Sequence, residues 1–335
     1  MAIWIVRAGK GGEREELALD EGLAVVGWSE LPDLSGLKSR QELEELCNKT
    51  YPDAKTNTIG NWVAQLWAFR DRIRLDDLVA LPLKTRAAIA IGKVVGPYEF
   101  RPDLPPDAHH TRRVEWIRKD IPRTAFEQDL LYSLGAAQTV CQVSRNRAEE
   151  RIRAVLEGKT KPPTPPNPTP NGDGEDLDLQ QYALDQIRDY IGRKFRGHEL
   201  SRLVTAVLKA QGYQTQMAPP GADGGVDIIA GRGPMGFDGP RLCVQVKSSD
   251  QPVDVGTLRE LQGVLRHFGA QQGLFVAWGG FKHSVLNEAR RLFFEIRLWD
   301  SGDLINALLD SYERLPADLQ TELPLQRTWT LVIEE

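Results

Sequence analysis

The stretch GADGGVDIIAGRGPMGFDGPRLCVQVKSSD, residues 221–250, decides how the second half of this chain folds. Two short apolar runs, VDIIA and RLCVQVK, flank a glycine-rich connection of the kind that turns a strand back on itself. Side chains of a strand alternate between its faces. Leu242, Val244 and Val246 therefore share one face, and Cys243, Gln245 and Lys247 share the other. Asp227 heads the preceding run, and paired strands lie about 5 Å apart. The hairpin thus predicts Asp227 beside Gln245 and Lys247. A carboxylate and a carbonyl oxygen suit Mg2+, which takes oxygen ligands and water. An ammonium beside them suits charge developing on a phosphate.

Working outward, strand and helix patterns alternate. HELSRLVTAVLKAQG (198–212) is a helix with Leu200, Leu203, Val204, Val207 and Leu208 as its apolar stripe. YQTQM, GVDIIA and RLCVQVK read as strands. The helix VGTLRELQGVLRHFG, the strand GLFVAW, the helix KHSVLNEARRLFF, the strand EIRLW and the helix SGDLINALLDSY follow. This order predicts an α/β domain with a central mixed sheet flanked by helices.

Taken singly, Asp227 also fits a turn residue and Lys247 a solvated strand end. Taken together, GADGGVDIIA and LCVQVKSS resemble the catalytic core of the Mrr-type restriction endonucleases, within the PD-(D/E)XK nuclease fold, over about 185–310. The resemblance implies that Asp227 binds the metal and that Lys247 is the lysine of the second motif. It places Gln245 where most of the wider superfamily carries an acid, a variant shared by the Mrr branch. It also implies that Glu199, from the opening helix, helps to complete the metal site with Asp227 and Gln245, with Asp223 a weaker candidate. His198 and His283 are set aside as lone helix histidines.

The clearest boundary is KTKPPTPPNPTPNGDGEDLD, residues 159–178, with six prolines between 162 and 170. Proline lacks the N–H that helix and sheet need and favours extended backbone. The expected organisation is a recognition domain at 1–158, a linker at 159–180 and a nuclease domain at 181–335. In the first domain, AIWIVRA, GLAVVGW, DDLVALPL, AAIAIGKVVGPYEF and RRVEWIRKDI read as strands. SRQELEELCNKTY and IGNWVAQLWAFRDRI read as helices, the first opening on a Ser39–Glu42 capping pattern. Short strands around one or two helices predict a mostly β, barrel-like module.

Five of the eight tryptophans lie here, at Trp4, Trp28, Trp62, Trp67 and Trp116, with several arginines nearby in sequence. Aromatic walls with basic flanks suit stacking of an extruded base, although such aromatics also build cores. The pattern IGNWVAQLWAF…DDLVALPL…IAIGKVVGPYEF is similar to EVE/PUA-like modules, with an SRA-like reader as the alternative. That similarity implies a base pocket, for which Trp28, Asn61, Trp62, Trp67 and Tyr98 are the candidates.

Composition sets outer limits. Net charge is −5, and residues 1–160 balance 24 basic against 24 acidic side chains, so a nucleic-acid surface must be local rather than global. Cys47, Cys141 and Cys243 are widely spaced and odd in number, which argues against a zinc site or a disulfide framework. No apolar run approaches the roughly 18–20 residues of a membrane span, so a cytoplasmic protein is expected. The combined expectation is a modification-dependent, type IV-like, Mg2+-dependent endodeoxyribonuclease. It would act on double-stranded DNA with modified bases, as a homodimer formed either beforehand or on DNA. The alternatives are a non-catalytic DNA-binding protein on a nuclease fold and a structure-specific nuclease.

Overall fold

A computed structural model describes all residues except 160–177, 220, 222–224 and 329–335. Most of the proline-rich segment and Asp223 lie outside the described residues. The chain divides into two compact units at Ala183–Leu184.

The first unit holds β1 (Ile3–Val6), α1 (Glu15–Asp20), β2 (Leu23–Val26), α2 (Arg40–Thr50), α3 (Thr56–Trp67), β3 (Leu78–Pro82), β4 (Ala88–Phe100), β5 (His110–Pro122), α4 (Gln128–Ser133), β6 (Val140–Gln142) and α5 (Ala148–Leu156). Its six strands form one sheet in the order β2-β5-β4-β3-β1-β6. β1 runs parallel to β3, with Ile3 opposite Leu78, and antiparallel to β6. Ser39 caps α2 by accepting the Glu42 N–H at 3.2 Å.

The expected barrel-like closure is not seen among the described residues: β2 and β6 end an open sheet. The cause is legible in β1 and β3, every residue of which is buried. Ile3 and Ile5 pack with Ile89, Ile91 and Ile121 against Leu130, Leu131 and Ile152 of α4 and α5. Trp4 and Val6 face the other way, with Val79, Val94 and Phe69. A barrel of this size buries its inner face and leaves the outer one to solvent. Here the sheet curls, since Ala24 and Val26 of β2 share that second core with Trp4 and Val6 of β1, yet no strand pairing joins β2 to β1 or β6 among the described residues.

The second unit contains α7 (His198–Ala210), β7 (Gln214–Met217), β8 (Ile228–Arg232), β9 (Asp238–Lys247), α8 (Val255–His267), β10 (Gln272–Ala277), α9 (His283–Arg291), β11 (Ile296–Trp299), α10 (Ser301–Ser311) and α11 (Ala317–Glu322). A helix absent from the sequence expectation, α6 (Leu179–Lys194), leads into it. The sheet order is β11-β10-β9-β8-β7. β9, β10 and β11 are mutually parallel, while β8 is antiparallel to both β7 and β9. Parallel neighbours need a crossover, and α8 and α9 supply them. One face packs Val244, Val246 and Ile228 against Leu200, Leu203 and Val204 of α7 and Leu304 and Leu308 of α10. The other packs Cys243 and Phe275 against Leu258, Leu261 and Leu265 of α8 and Val285 of α9. The expected mixed sheet with flanking helices is what the structure has. No helix among the described residues is long and apolar enough to cross a membrane.

All three cysteines are buried, and none of them forms a disulfide. Burial pushes the Cys47 and Cys243 thiols up to about 11, so they stay protonated and behave as small apolar side chains.

Candidate active site

Strand register builds the site. Ile228 pairs with Val244, so one residue earlier Asp227 stands across from Gln245. Ile228 and Val244 fill the core on the α7 side. By alternation Asp227, Gln245 and Lys247 belong to the opposite face. Three main-chain bonds fix Asp227. Its Oδ2 accepts the Val246 N–H at 2.7 Å, its N–H donates to the Val244 carbonyl at 2.8 Å, and its carbonyl accepts the Ala218 N–H at 2.8 Å. The carboxylate is half-buried.

Gln245 is 3% exposed, and its Oε1 has no hydrogen-bond partner among the described residues. A buried acceptor left unpaired costs about 1–3 kcal/mol, and this one lies directly across from the Asp227 carboxylate. Lys247 ends β9 exposed and makes no ion pair among the described residues; its carbonyl accepts the Trp278 N–H at 2.8 Å. The loop after it is held tightly: a Cβ on Gly279 would lie 2.5 Å from the Asp250 carbonyl carbon. Only glycine permits that approach.

Glu199 is placed differently. It lies exposed in the first turn of α7, and its Oε2 accepts from Arg202 Nε at 2.7 Å. Arg202 also reaches Glu322 at 2.7 Å. α7 packs on the face opposite Gln245, and no bond joins Glu199 to Asp227, Gln245 or Lys247 among the described residues. A bond of 3.0 Å from the Gly197 N–H to Ser248 Oγ ties the start of α7 to the end of β9. Sequence reading missed that tether, since no pattern marks a serine just past a strand.

No group of three or more His, Cys, Asp or Glu side chains able to hold a metal occurs among the described residues. The donors that do converge are hard oxygens, one carboxylate and one unpaired amide carbonyl. They fit Mg2+, which keeps several waters and takes one or two protein carboxylates.

In the first unit, Trp28, Trp62, Trp67 and Tyr98 all pack around the small core of Leu34, Leu43, Ile59, Val63 and Leu66. Each is half-buried with a local partner. Trp62 meets Tyr51 edge-on at 5.1 Å, and Arg70 lies over Trp67 at 5.1 Å. The Tyr98 hydroxyl and His110 Nδ1 share a hydrogen bond of 2.8 Å. Burial pushes Tyr98 up to about 12 and holds His110 below its ordinary value. Asn61 Oδ1 accepts from Gln65 at 3.3 Å. Trp28 has φ 63°, a left-handed backbone that bulky residues rarely adopt. Two cavities of this unit, about 560 and 490 Å³, are lined by none of the five candidates.

The second unit is thus a helix-flanked mixed sheet with an acid, an amide and a lysine on one face at neighbouring strand ends. Residues 192–308 match the family model Mrr_cat, described as a restriction endonuclease, and that segment is an Mrr-type restriction endonuclease domain. Residues 4–142 match a family described as a domain of unknown function, DUF8426. No curated protein matches the chain. Similar solved structures include the DNA modification-dependent restriction endonuclease AspBHI, at 16% identity over 81% of this chain and 74% of that one, with a TM-score of 0.33. MspJI restriction endonuclease in complex with a 27-mer oligonucleotide is 14% identical over 96% and 79%, with a TM-score of 0.32. A protein of unknown function, AF1548, is 17% identical over 37% and 75%, with a TM-score of 0.28.

Proposed function

We propose that the chain is a modification-dependent, type IV-like DNA endonuclease, with a recognition domain at 1–158, a linker at 159–180 and an Mg2+-dependent nuclease domain at 181–335. The observation that carries the reading is the buried Gln245 Oε1, unpartnered among the described residues, across from Asp227, with Lys247 on the same sheet face, inside a restriction endonuclease domain. Asp227, Gln245 and Glu199 would hold the metal. When bound, Mg2+ supplies Lewis acidity toward a phosphate oxygen and acidifies a water. Asp227, locked by its bond from Val246, orients its carboxylate without cost at the moment of reaction. Lys247 brings an exposed ammonium, with no ion pair among the described residues, to the negative charge that grows as a water oxygen bonds to phosphorus and one P–O ester bond breaks. The products are a phosphomonoester and a hydroxyl. Glu199 must first leave Arg202, so the Michaelis complex differs from this arrangement in that side chain.

The first unit would read a methylated or hydroxymethylated cytosine by extruding it, as an EVE/PUA-like or SRA-like module does, with Trp28, Asn61, Trp62, Trp67 and Tyr98 around it. One site cuts one strand, so cutting both calls for two copies of the chain. A second reading, a DNA-binding protein without catalysis, is favoured by the engagement of Glu199 with Arg202. The test uses matched plasmids, unmodified or carrying 5-methylcytosine, 5-hydroxymethylcytosine or N6-methyladenine, with Mg2+. Cutting confined to modified cytosine is expected. Binding without any nick supports the second reading, and cutting of branched unmodified DNA supports a structure-specific nuclease.

A further inference from the structure

The first turn of α7 stands at the end of β9 that carries Lys247. The bond from the Gly197 N–H to Ser248 Oγ, 3.0 Å, holds it there, one residue past that lysine. Gly197 has φ 57° and ψ −126°, a backbone that only glycine adopts readily, so the tether is built into the chain. Glu199 follows two residues on. Of the three candidate metal ligands it is the one whose carboxylate is engaged elsewhere, with Arg202 Nε at 2.7 Å.

Arg202 is held more firmly than Glu199. Its Nη2 donates to Glu322 at 2.7 Å, and its guanidinium lies 5.6 Å over the ring of Phe195, which is buried. Glu322 is fixed in turn. Its carbonyl accepts from the Tyr190 hydroxyl at 2.9 Å and from Lys194 Nζ at 3.0 Å, and Leu319 and Leu323 beside it are buried in the core. The Glu199 side chain is half exposed and has Arg202 as its one side-chain partner among the described residues. An isolated exposed pair of this kind imposes little order. Here one member is clamped from two other sides, so the guanidinium stays and the carboxylate is the part that moves. A carboxylate bonded to a guanidinium is also less available to a divalent cation, since both ask for the same lone pairs.

We propose that Arg202, braced by Glu322, is a positioning residue that holds Glu199 off the metal site and so weakens the site's affinity for Mg2+. The assignment rests on the reading of Asp227, Gln245 and Glu199 as metal ligands. It adds two residues that act on the ion only through Glu199. It also makes α11, through Glu322, part of what sets the metal affinity.

The test is a titration of the full chain with Mg2+ alone, without DNA, read from the rise of the thermal midpoint. Arg202→Met keeps an apolar stem over Phe195 and removes the guanidinium. Its Mg2+ dissociation constant falls about three- to fivefold, the effect of one partly exposed ion pair. Arg202→Gln is the second variant should methionine upset the fold, with the same tightening expected. Arg202→Lys, which keeps the charge, stays near the parent. A merely electrostatic effect of losing a cation would appear with or without Glu199, so the change is repeated in a Glu199→Gln chain. There Arg202→Met leaves the Mg2+ dissociation constant unchanged. If neither variant binds Mg2+ more tightly than the parent, the proposal is overturned, as it is by an equal tightening in the Glu199→Gln chain. A parent whose midpoint ignores Mg2+ overturns it too, while nicking of modified plasmid by that parent keeps the endonuclease reading. The expected pattern in a chain that nicks nothing supports this assignment and removes the endonuclease reading instead.

Discussion

Replacing Gln245 with methionine separates stability from function. The parent buries an amide oxygen that no described donor reaches. Leaving such an acceptor unpaired costs about 1–3 kcal/mol. Methionine has nearly the same length and flexibility and fills the same space without a polar atom. Part of the gain goes to imperfect packing, so the expected net stabilisation without Mg2+ is about 1–2 kcal/mol. For a unit of about 150 residues this lifts the midpoint by roughly 2–8 °C. With Mg2+ the order reverses. An ion at a hundredfold excess over its dissociation constant adds about 2.7 kcal/mol to the parent, and the variant, lacking one donor, gains less. Cleavage is lost in the variant. Differential scanning calorimetry with EDTA and then with Mg2+ reads both effects, with plasmid nicking run in parallel. The reasoning is refuted if Gln245→Met is less stable than the parent by about 1 kcal/mol in EDTA, since the amide then has a partner. It is equally refuted if Mg2+ raises both midpoints by the same amount.

Other predictions are shorter. Lys247→Ala lowers the nicking rate by about 10²–10³ and leaves DNA affinity within a few fold, measured by single-turnover cleavage and a gel-shift titration. His110, held neutral by burial, has a folded pKa below its unfolded value. Its contribution to stability is therefore present above the unfolded pKa and lost as pH falls toward the folded one. The first unit weakens in urea below the usual histidine range, and His110→Asn flattens that dependence. Arg112 donates to the carbonyls of Phe69 and Arg70 at 2.6 Å each, and burial lowers it to about 10. Arg112→Met strands those acceptors and destabilises the first unit by about 3 kcal/mol, read from its unfolding midpoint. A thiol reagent labels none of the three cysteines in the native protein within the time that labels all three in guanidine.

Much of the second unit is legible in its sequence because its signals are local. Alternation along RLCVQVK assigns the two faces of β9, and the apolar stripe of α7 meets Val244 and Val246 as its spacing implies. The pairing of Asp227 with Gln245 follows from one tight hairpin. Glu199 is another matter. Helical periodicity places it at the edge of a stripe, but its rotamer is set by Arg202 one turn on and by Glu322 from a distant helix. α6 was missed because its apolar positions are diluted by charge, including the buried pair Asp185 and Arg188. In the first unit the strands were readable and their order was not. β1 finds β3 more than seventy residues away and β6 farther still. No local pattern encodes such pairings, and a reading limited to strand count suggests closure where both faces are in fact covered. The aromatics at Trp62 and Trp67 show the same limit, since helical spacing serves a small core as readily as a pocket.

The sealed central strands of the first unit carry a consequence for how its selectivity can change. With both sides of β1 and β3 occupied, no sheet face is left to meet a partner there, and contact falls to the exposed stretches of β4 and β5 and to the connections between elements. Those connections bear little of the packing, so residues in them can be exchanged, lengthened or shortened at small cost to the fold. If the first unit reads DNA as proposed, its selectivity can change there without cost to its core. Loop grafting or diversification between β2 and α2, or between β4 and β5, is the economical way to redirect what this unit recognises.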